Sequence, residues 1–226
     1  KPTQQSVNLL RQRGIFADII IGRCREQIAP SLKHKIAGFC DVSADAVLSS
    51  IDVDTIYKIP LLLEQQGLLN LIQKKFSVVI TPELQAWRSC VDKINHGKQD
   101  ITIAICGKYT SLEDSYASII EALIHSSAHL DCNVNIKWID TMDETKVAEQ
   151  LTDVHGVIIP GGFGARAIEG KIQAITHCRE HNIPLLGICY GLQLAVVEFA
   201  RNKCSLKNAH TTEVDPQTPN PVVCIL

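Results

Sequence analysis

The sequence predicts an α/β fold, and three observations carry that expectation. Short apolar runs of buried-strand length, ITIAIC, HGVIIP and IPLLGIC, recur from residue 101 onward; each is followed by a stretch with apolar residues at helical spacing; and the links between them are short and glycine-bearing. Such βα alternation implies a parallel sheet wrapped by helices, with ligands bound beyond the carboxyl ends of the strands.

Before residue 101 the rhythm is looser. SVNLLRQRG reads as helix, ADIIIGR as strand, APSLKHKIAGFC as helix, AVLSSIDVDTIYKIP as extended and LLLEQQGLLNLIQKKF as helix. TPELQAWRSCVDKI reads as an amphipathic helix and NHGKQD as a polar link. From there ITIAICGKY is strand, DSYASIIEALIHSSAHL helix, VNIKWID strand and MDETKVAEQL helix. HGVIIPGG is strand, ARAIEGKIQAITHCREHN helix, IPLLGIC strand and YGLQLAVVEFARN helix. The expected organisation is a first domain at 1–76, a linker at 77–100 and a second domain at 101–226.

Composition excludes several classes. With 46% hydrophobic residues the 226-residue chain is sufficient to bury real cores. The net charge of −2, without a run of like charges, argues against a nucleic-acid stripe and favours small-molecule partners. No apolar run reaches the 18 or so residues of a membrane span, and KPTQQSVNLL lacks the apolar stretch of a secretory signal, so a cytoplasmic protein without membrane contact is expected. The nine cysteines form no CxxC pair; Cys40, Cys106, Cys189 and Cys224 sit in apolar segments as buried thiols do, and a reducing compartment without zinc or disulfides follows.

Two turns carry chemistry. Gly187-Ile-Cys189-Tyr-Gly191 has the form of a nucleophile elbow, a strand-to-helix turn that holds a reactive side chain in a strained conformation, at a helix N-terminus that favours an anionic sulfur. Attack on an amide makes a tetrahedral oxyanion, for which Pro160-Gly161-Gly162-Phe163-Gly164, at the end of another strand, can supply backbone N–H donors. None of the eight histidines is marked as the general base by its neighbourhood: His155, His177, His181 and His210 all read as solvated surface.

Taken together, KPTQ, KIAGFC, VDTIYKIPLLLEQQG, GKYTSLEDSYASIIEAL, PGGFG-x-R-x-IEGK, GIC-x-G-x-Q-LAVVEFARN and NAHTTE resemble, in that order and over essentially the whole chain, the CTP synthases. These are glutamine-dependent amidotransferases that convert UTP to CTP. The resemblance implies part of a P-loop-type amidoligase domain followed by part of a doubly wound, flavodoxin-like class I glutamine amidotransferase domain. It implies Cys189 as glutaminase nucleophile, Gly162 and Tyr190 as oxyanion donors, and glutamine contacts from Gly162, Tyr190, Gly191, Leu192, Gln193 and Glu213. A carboxylate at Glu213 suits the α-ammonium of glutamine.

It further implies UTP and CTP binding by Lys1, Pro2, Thr3, Gln4 and Lys35, and ATP binding by Ile51, Asp52 and Val53. Arg166 and GKYTS are implied as the surface where GTP activates. Mg2+ is implied with ATP, through ligands outside this chain, and the assembly as a homotetramer. The family's upstream phosphate loop and downstream His-Pro-Glu stretch are absent here, so the chain reads as an internal piece. The chain departs from the family at Tyr190, Leu192 and Val214, where leucine, methionine and phenylalanine are usual; a phenol at 190 is expected to bear on access to the glutamine pocket. Two alternatives stay open: a truncated module that keeps the fold and its nucleotide or subunit contacts without turnover, and a cysteine hydrolase of similar fold unrelated to nucleotides.

Overall fold

The computed structural model of the protein describes residues 2–94, 96–107, 113–162 and 167–224, the side chains of Glu113 and Asp114 excepted. The chain divides into two compact units, Lys1–Val91 and Asp92–Leu226.

In the first unit, α1 (Pro2–Gln12) opens on a proline, whose fixed φ and missing N–H suit a first helical turn. Val7 of α1, Ile20 of β1 (Ile20–Cys24) and Cys40 of α2 (Pro30–Cys40) form a small core. β1 pairs in parallel with β2 (Val47–Ile51), Ile20 opposite Val47 and Cys24 opposite Ile51. Gln66 binds Ser49 of β2 twice, accepting from its N–H at 2.8 Å and donating to its carbonyl at 2.8 Å, so a side chain satisfies backbone that a further strand would otherwise pair.

Two expectations fail here for local reasons. The extended stretch stops at Ile51; a short 3-10 turn (Ile56–Lys58) leads into α3 (Ile59–Gln65), with Pro60 in its first turn, where proline costs nothing. The single helix expected at 61–76 is two, because Gly67 adopts φ 86 and separates α3 from α4 (Leu68–Phe76). α5 (Gln85–Ile94) follows, its Trp87 indole N–H donating to the Tyr57 carbonyl at 2.9 Å.

The second unit is built on β3 (Asp100–Gly107), α6 (Ala117–Leu130), β4 (Asn133–Asp140), α7 (Glu144–Gln150), β5 (Gly156–Ile159), α8 (Ile168–His181), β6 (Leu185–Gly187) and α9 (Tyr190–Asn202). The strands form a parallel sheet in the order β4-β3-β5-β6, with Ile105 opposite both Trp138 and Ile158, and Ile158 opposite Leu186. The runs ITIAIC and GVII are largely apolar because their residues are enclosed: on one face Ala104, Cys106 and Ile159 pack with Val147, Ile172, Ile175, Leu194 and Val197 from the helices, and on the other Ile105 and Ile158 are buried as well. The chain leaves β3 in one direction to β4 and later returns to its other side as β5, which opens a crevice beyond the carboxyl ends of β3 and β5.

α8 and α9 are joined by a buried ion pair. Glu198, 1% exposed, accepts from the Arg179 Nε at 2.9 Å, the Asn202 amide at 2.8 Å and the Thr176 hydroxyl at 3.2 Å, so its charge is paired and its oxygens are satisfied. A parallel pair absent from the sequence reading, β7 (Ala209–Thr211) with β8 (Asn220–Val223), closes the described chain. It takes His210 out of the loop expected for it: the ring is half-buried, its Nδ1 accepts from the Thr211 N–H at 2.9 Å, and burial, then Arg201, hold it below the usual histidine range. His177 is likewise half-buried, stacked on His181 with ring centroids 4.0 Å apart. Among the described residues no helix is long and apolar enough to cross a membrane.

Candidate active site

β6 ends at Gly187 and α9 begins at Tyr190, so Ile188 and Cys189 make the turn between them. Cys189 has φ 54 and ψ −109, a region that side-chain-bearing residues enter only when their surroundings force it. The forcing contacts are identifiable. The Ile188 N–H donates to the Ile159 carbonyl at 2.9 Å, and the Cys189 carbonyl accepts from Leu192 N–H at 3.1 Å and Gln193 N–H at 3.3 Å. A Cβ on Gly187 would lie 2.7 Å from the Leu192 nitrogen, and one on Gly191 would collide with the Ile159 carbonyl oxygen. The two glycines that flank the cysteine therefore let α9 approach the ends of β5 and β6 closely enough to bend the chain at Cys189.

Of the four cysteines read as buried, Cys40 and Cys106 are, while Cys189 and Cys224 are exposed. Position in the element decides: Cys106 lies inside a central strand, Cys189 on the turn beyond one and Cys224 past the end of β8. Burial pushes the Cys178 thiol up to about 11 and that of Cys106 higher still.

Pro160, Gly161 and Gly162 leave β5 at the same end of the sheet. A Cβ on Gly161 would stand 3.4 Å from Cys189 Cβ and 3.9 Å from its Sγ, so this backbone lies against the thiol. Gly162 has φ 118, a conformation open to glycine alone at little cost. Lys171, in the first turn of α8, is 2% exposed, and its ammonium donates to the Pro160 carbonyl at 3.3 Å. Lys171 is not among the candidates the motifs mark; its place in the stripe Ile168, Lys171, Ile172, Ile175 on one helical face is the sequence signal for its burial.

The remaining glutamine-site residues are distributed as follows. Gly191 is buried, Gln193 half-buried and Leu192 59% exposed. The Tyr190 phenol, expected at the pocket, instead joins the core with Leu194 and Val197, because the first turn of α9 faces the sheet. Burial, then the nearby Glu213 carboxylate, push it up to about 12. Glu213 itself is exposed just after β7, and its charge reaches the residue that follows Cys189. Val214 packs on the same core. Phe163, Gly164, Arg166 and the KYTS part of GKYTS lie outside the described residues.

In the first unit, Pro2, Thr3 and Gln4 form the first turn of α1, and Lys35 is exposed on α2, which packs against α1. Lys1 lies outside the described residues. Ile51 ends β2, and with Asp52 and Val53 just beyond it lines a cleft of about 280 Å³ together with Arg23, Ile56 and Ile59. A larger cleft, about 580 Å³, is lined by Lys33, His34, Asp45, Gln66, Asn70 and Lys74, none of them foreseen as site residues. Among the described residues no group of three or more His, Cys, Asp or Glu side chains is placed to hold a metal ion.

An exposed cysteine in a strained strand-to-helix turn, facing a glycine backbone at the end of a parallel sheet, defines the second unit as a class-I glutamine amidotransferase domain. Residues 111–220 match the family model of that description, and residues 1–78 match the one described as CTP synthase N-terminus. Over its whole length the chain is similar to the CTP synthases. It is 49% identical over 228 residues to the CTP synthase of Thermococcus gammatolerans and 44% identical over 226 residues to that of Archaeoglobus fulgidus. All of this chain is covered, against 43% and 42% of those proteins, so it spans less than half the length of these curated relatives. Among solved structures, the glutaminase domain of Trypanosoma brucei CTPS with bound acivicin matches with a TM-score of 0.53 and 30% identity, over 55% of this chain and 50% of that one.

Proposed function

We propose that this chain contributes the glutaminase nucleophile and part of the nucleotide-binding domain of an enzyme that aminates UTP to CTP, with ATP as energy source and glutamine as nitrogen donor. The observation that carries the reading is the conformation of Cys189, φ 54 and ψ −109, with the Gly161 backbone against its sulfur. The Cys189 thiolate attacks the carboxamide carbon of glutamine, and N–H groups of Gly162 and Tyr190 take up the charge on the oxygen. The C–N bond then breaks, the proton given up by the Cys189 thiol is delivered to the leaving nitrogen so that ammonia departs, and water hydrolyses the thioester to glutamate and free thiol. Gly191, Leu192 and Gln193 shape the pocket, and Glu213 pairs with the substrate ammonium.

In the first unit, Lys1, Pro2, Thr3, Gln4 and Lys35 hold UTP or the product CTP, lysines meeting triphosphate oxygens as point charges. Ile51, Asp52 and Val53 line the ATP site, a role that suits a cleft at the carboxyl end of a parallel strand. ATP phosphorylates the UTP carbonyl oxygen, and ammonia displaces that phosphate. Mg2+ would neutralise the ATP phosphates from ligands beyond those described. GTP as activator, a homotetramer and a cytoplasmic setting belong to the same reading and rest on the family resemblance.

The test uses acivicin, the compound bound in the trypanosomal structure. Incubated with this chain, it should give one adduct, mapped by peptide mass to Cys189, slowed by glutamine and absent from Cys189→Ala. A folded chain labelled nowhere, or labelled equally at Cys204, would overturn the glutaminase reading.

A further inference from the structure

The geometry points to Lys171 as a positioning residue for the oxyanion turn: its buried ammonium holds the Pro160 carbonyl and thereby aims the Gly161–Gly162 backbone at Cys189. The inference rests on the glutaminase reading of that cysteine and extends it to a residue outside the pocket.

Three observations combine. Lys171 is 2% exposed and stands among Ile168, Ile172 and Ile175 on the core face of α8, where a methionine would fill the same volume without a charge to desolvate. Burying an ammonium is costly, and its presence calls for an interaction that an apolar side chain cannot make. The 3.3 Å hydrogen bond to the carbonyl of Pro160 is an interaction of that kind. Pro160 is the last residue before Gly161, whose added Cβ would stand 3.9 Å from the Cys189 sulfur.

Peptide geometry supplies the link. In a trans peptide the C=O and the following N–H point in opposite directions. A carbonyl drawn into the core by Lys171 therefore turns the Gly161 N–H away from the core and sets the plane from which Gly162, at φ 118, continues. Glycines have no side chain to fix their own conformation, so an oxyanion turn written as Gly-Gly needs an anchor on its flank. The elbow has anchors of its own, in the Ile188 to Ile159 hydrogen bond and the contact of Gly191 with Ile159; Lys171 is the corresponding anchor on the other side of the crevice.

The experiment compares Lys171→Met, a neutral side chain of similar volume, with wild type in the full-length gene product. Glutamine hydrolysis is followed as kcat and KM, and Cys189 alkylation by iodoacetamide is followed by peptide mass. Iodoacetamide needs the thiol and no oxyanion donor. Since removal of one donor lowers kcat by about 10²–10³-fold, a misaimed pair should lower it at least about tenfold. KM and the alkylation rate should stay within about threefold. As a second variant, Lys171→Ala should regain part of its kcat when ethylammonium is added and not when tetramethylammonium, which has no N–H, is added. Unchanged kcat in Lys171→Met overturns the assignment. So does a parallel fall of kcat and alkylation, or loss of cooperative unfolding in both variants, because Lys171 would then support the fold and not the turn. Wild-type protein that hydrolyses no glutamine overturns the glutaminase reading itself, and this inference with it.

Discussion

At φ 54 and ψ −109, Cys189 carries a Cβ in a region where that atom crowds its own backbone. Comparing Cys189→Ala with Cys189→Gly isolates this strain from the thiol, since both variants lack sulfur and only one keeps the Cβ. Strain of this kind costs about 1–3 kcal/mol, while the freer unfolded chain of glycine offsets about 0.4–1 kcal/mol. The side chain is exposed, so little burial is lost with it. Glycine should therefore leave the second unit about 1 kcal/mol more stable than alanine. Urea unfolding followed through Trp138, in a background where Trp87, the other of the two tryptophans, is replaced by phenylalanine, reports on that unit alone. At a slope of about 2 kcal/mol/M the midpoint should rise by about 0.5 M. A glycine variant no more stable than the alanine variant would refute the reasoning: the turn would be relaxed, and the two glycines beside it would have some other purpose.

Gly191→Ala drives a methyl into the Ile159 carbonyl, so overpacking of about 1–3 kcal/mol should exceed the helix-propensity gain of about 1 kcal/mol. Acivicin labelling of Cys189 should slow about tenfold or more as the sulfur moves from Gly161, and unchanged labelling would mean that α9 shifts freely. Alkaline pH should weaken the second unit. Cys178 is held at about 11 against 9.0 and Tyr190 at about 12 against 10.0, so the folded state keeps protons that the unfolded chain gives up; stability is complete below about pH 9 and is lost through about 11 to 12. Urea midpoints level across that range would contradict the burial argument. Lys35→Ala in the full-length gene product should weaken UTP and CTP binding, measured by calorimetry, and leave glutamine hydrolysis intact; equal loss of both would assign Lys35 to the fold.

What the sequence alone determined was the alternation of the second unit and the place of the strained turn at Cys189. Strands enclosed within a parallel sheet are dominated by apolar residues without strict alternation, so ITIAIC, HGVII and IPLLG announce themselves, and the glycines around Cys189 mark where a helix meets strand ends too closely for a side chain. Gly67 was legible in principle, but whether a glycine inside an apolar helical run interrupts it depends on what each half packs against. The tertiary structure decided the rest. Cys106 and Cys189 both stand in apolar sequence, yet one is enclosed by helices and the other opens on the crevice, and no local pattern distinguishes them. Lys171 and Glu198 read as charges on amphipathic helices, whose usual place is solvent; they are buried because Pro160 offers a carbonyl to one and Arg179 a guanidinium to the other. Partners 11 and 19 residues away in the chain leave no periodic trace, because a hydrogen bond between elements is fixed by how the elements pack and by nothing within either of them.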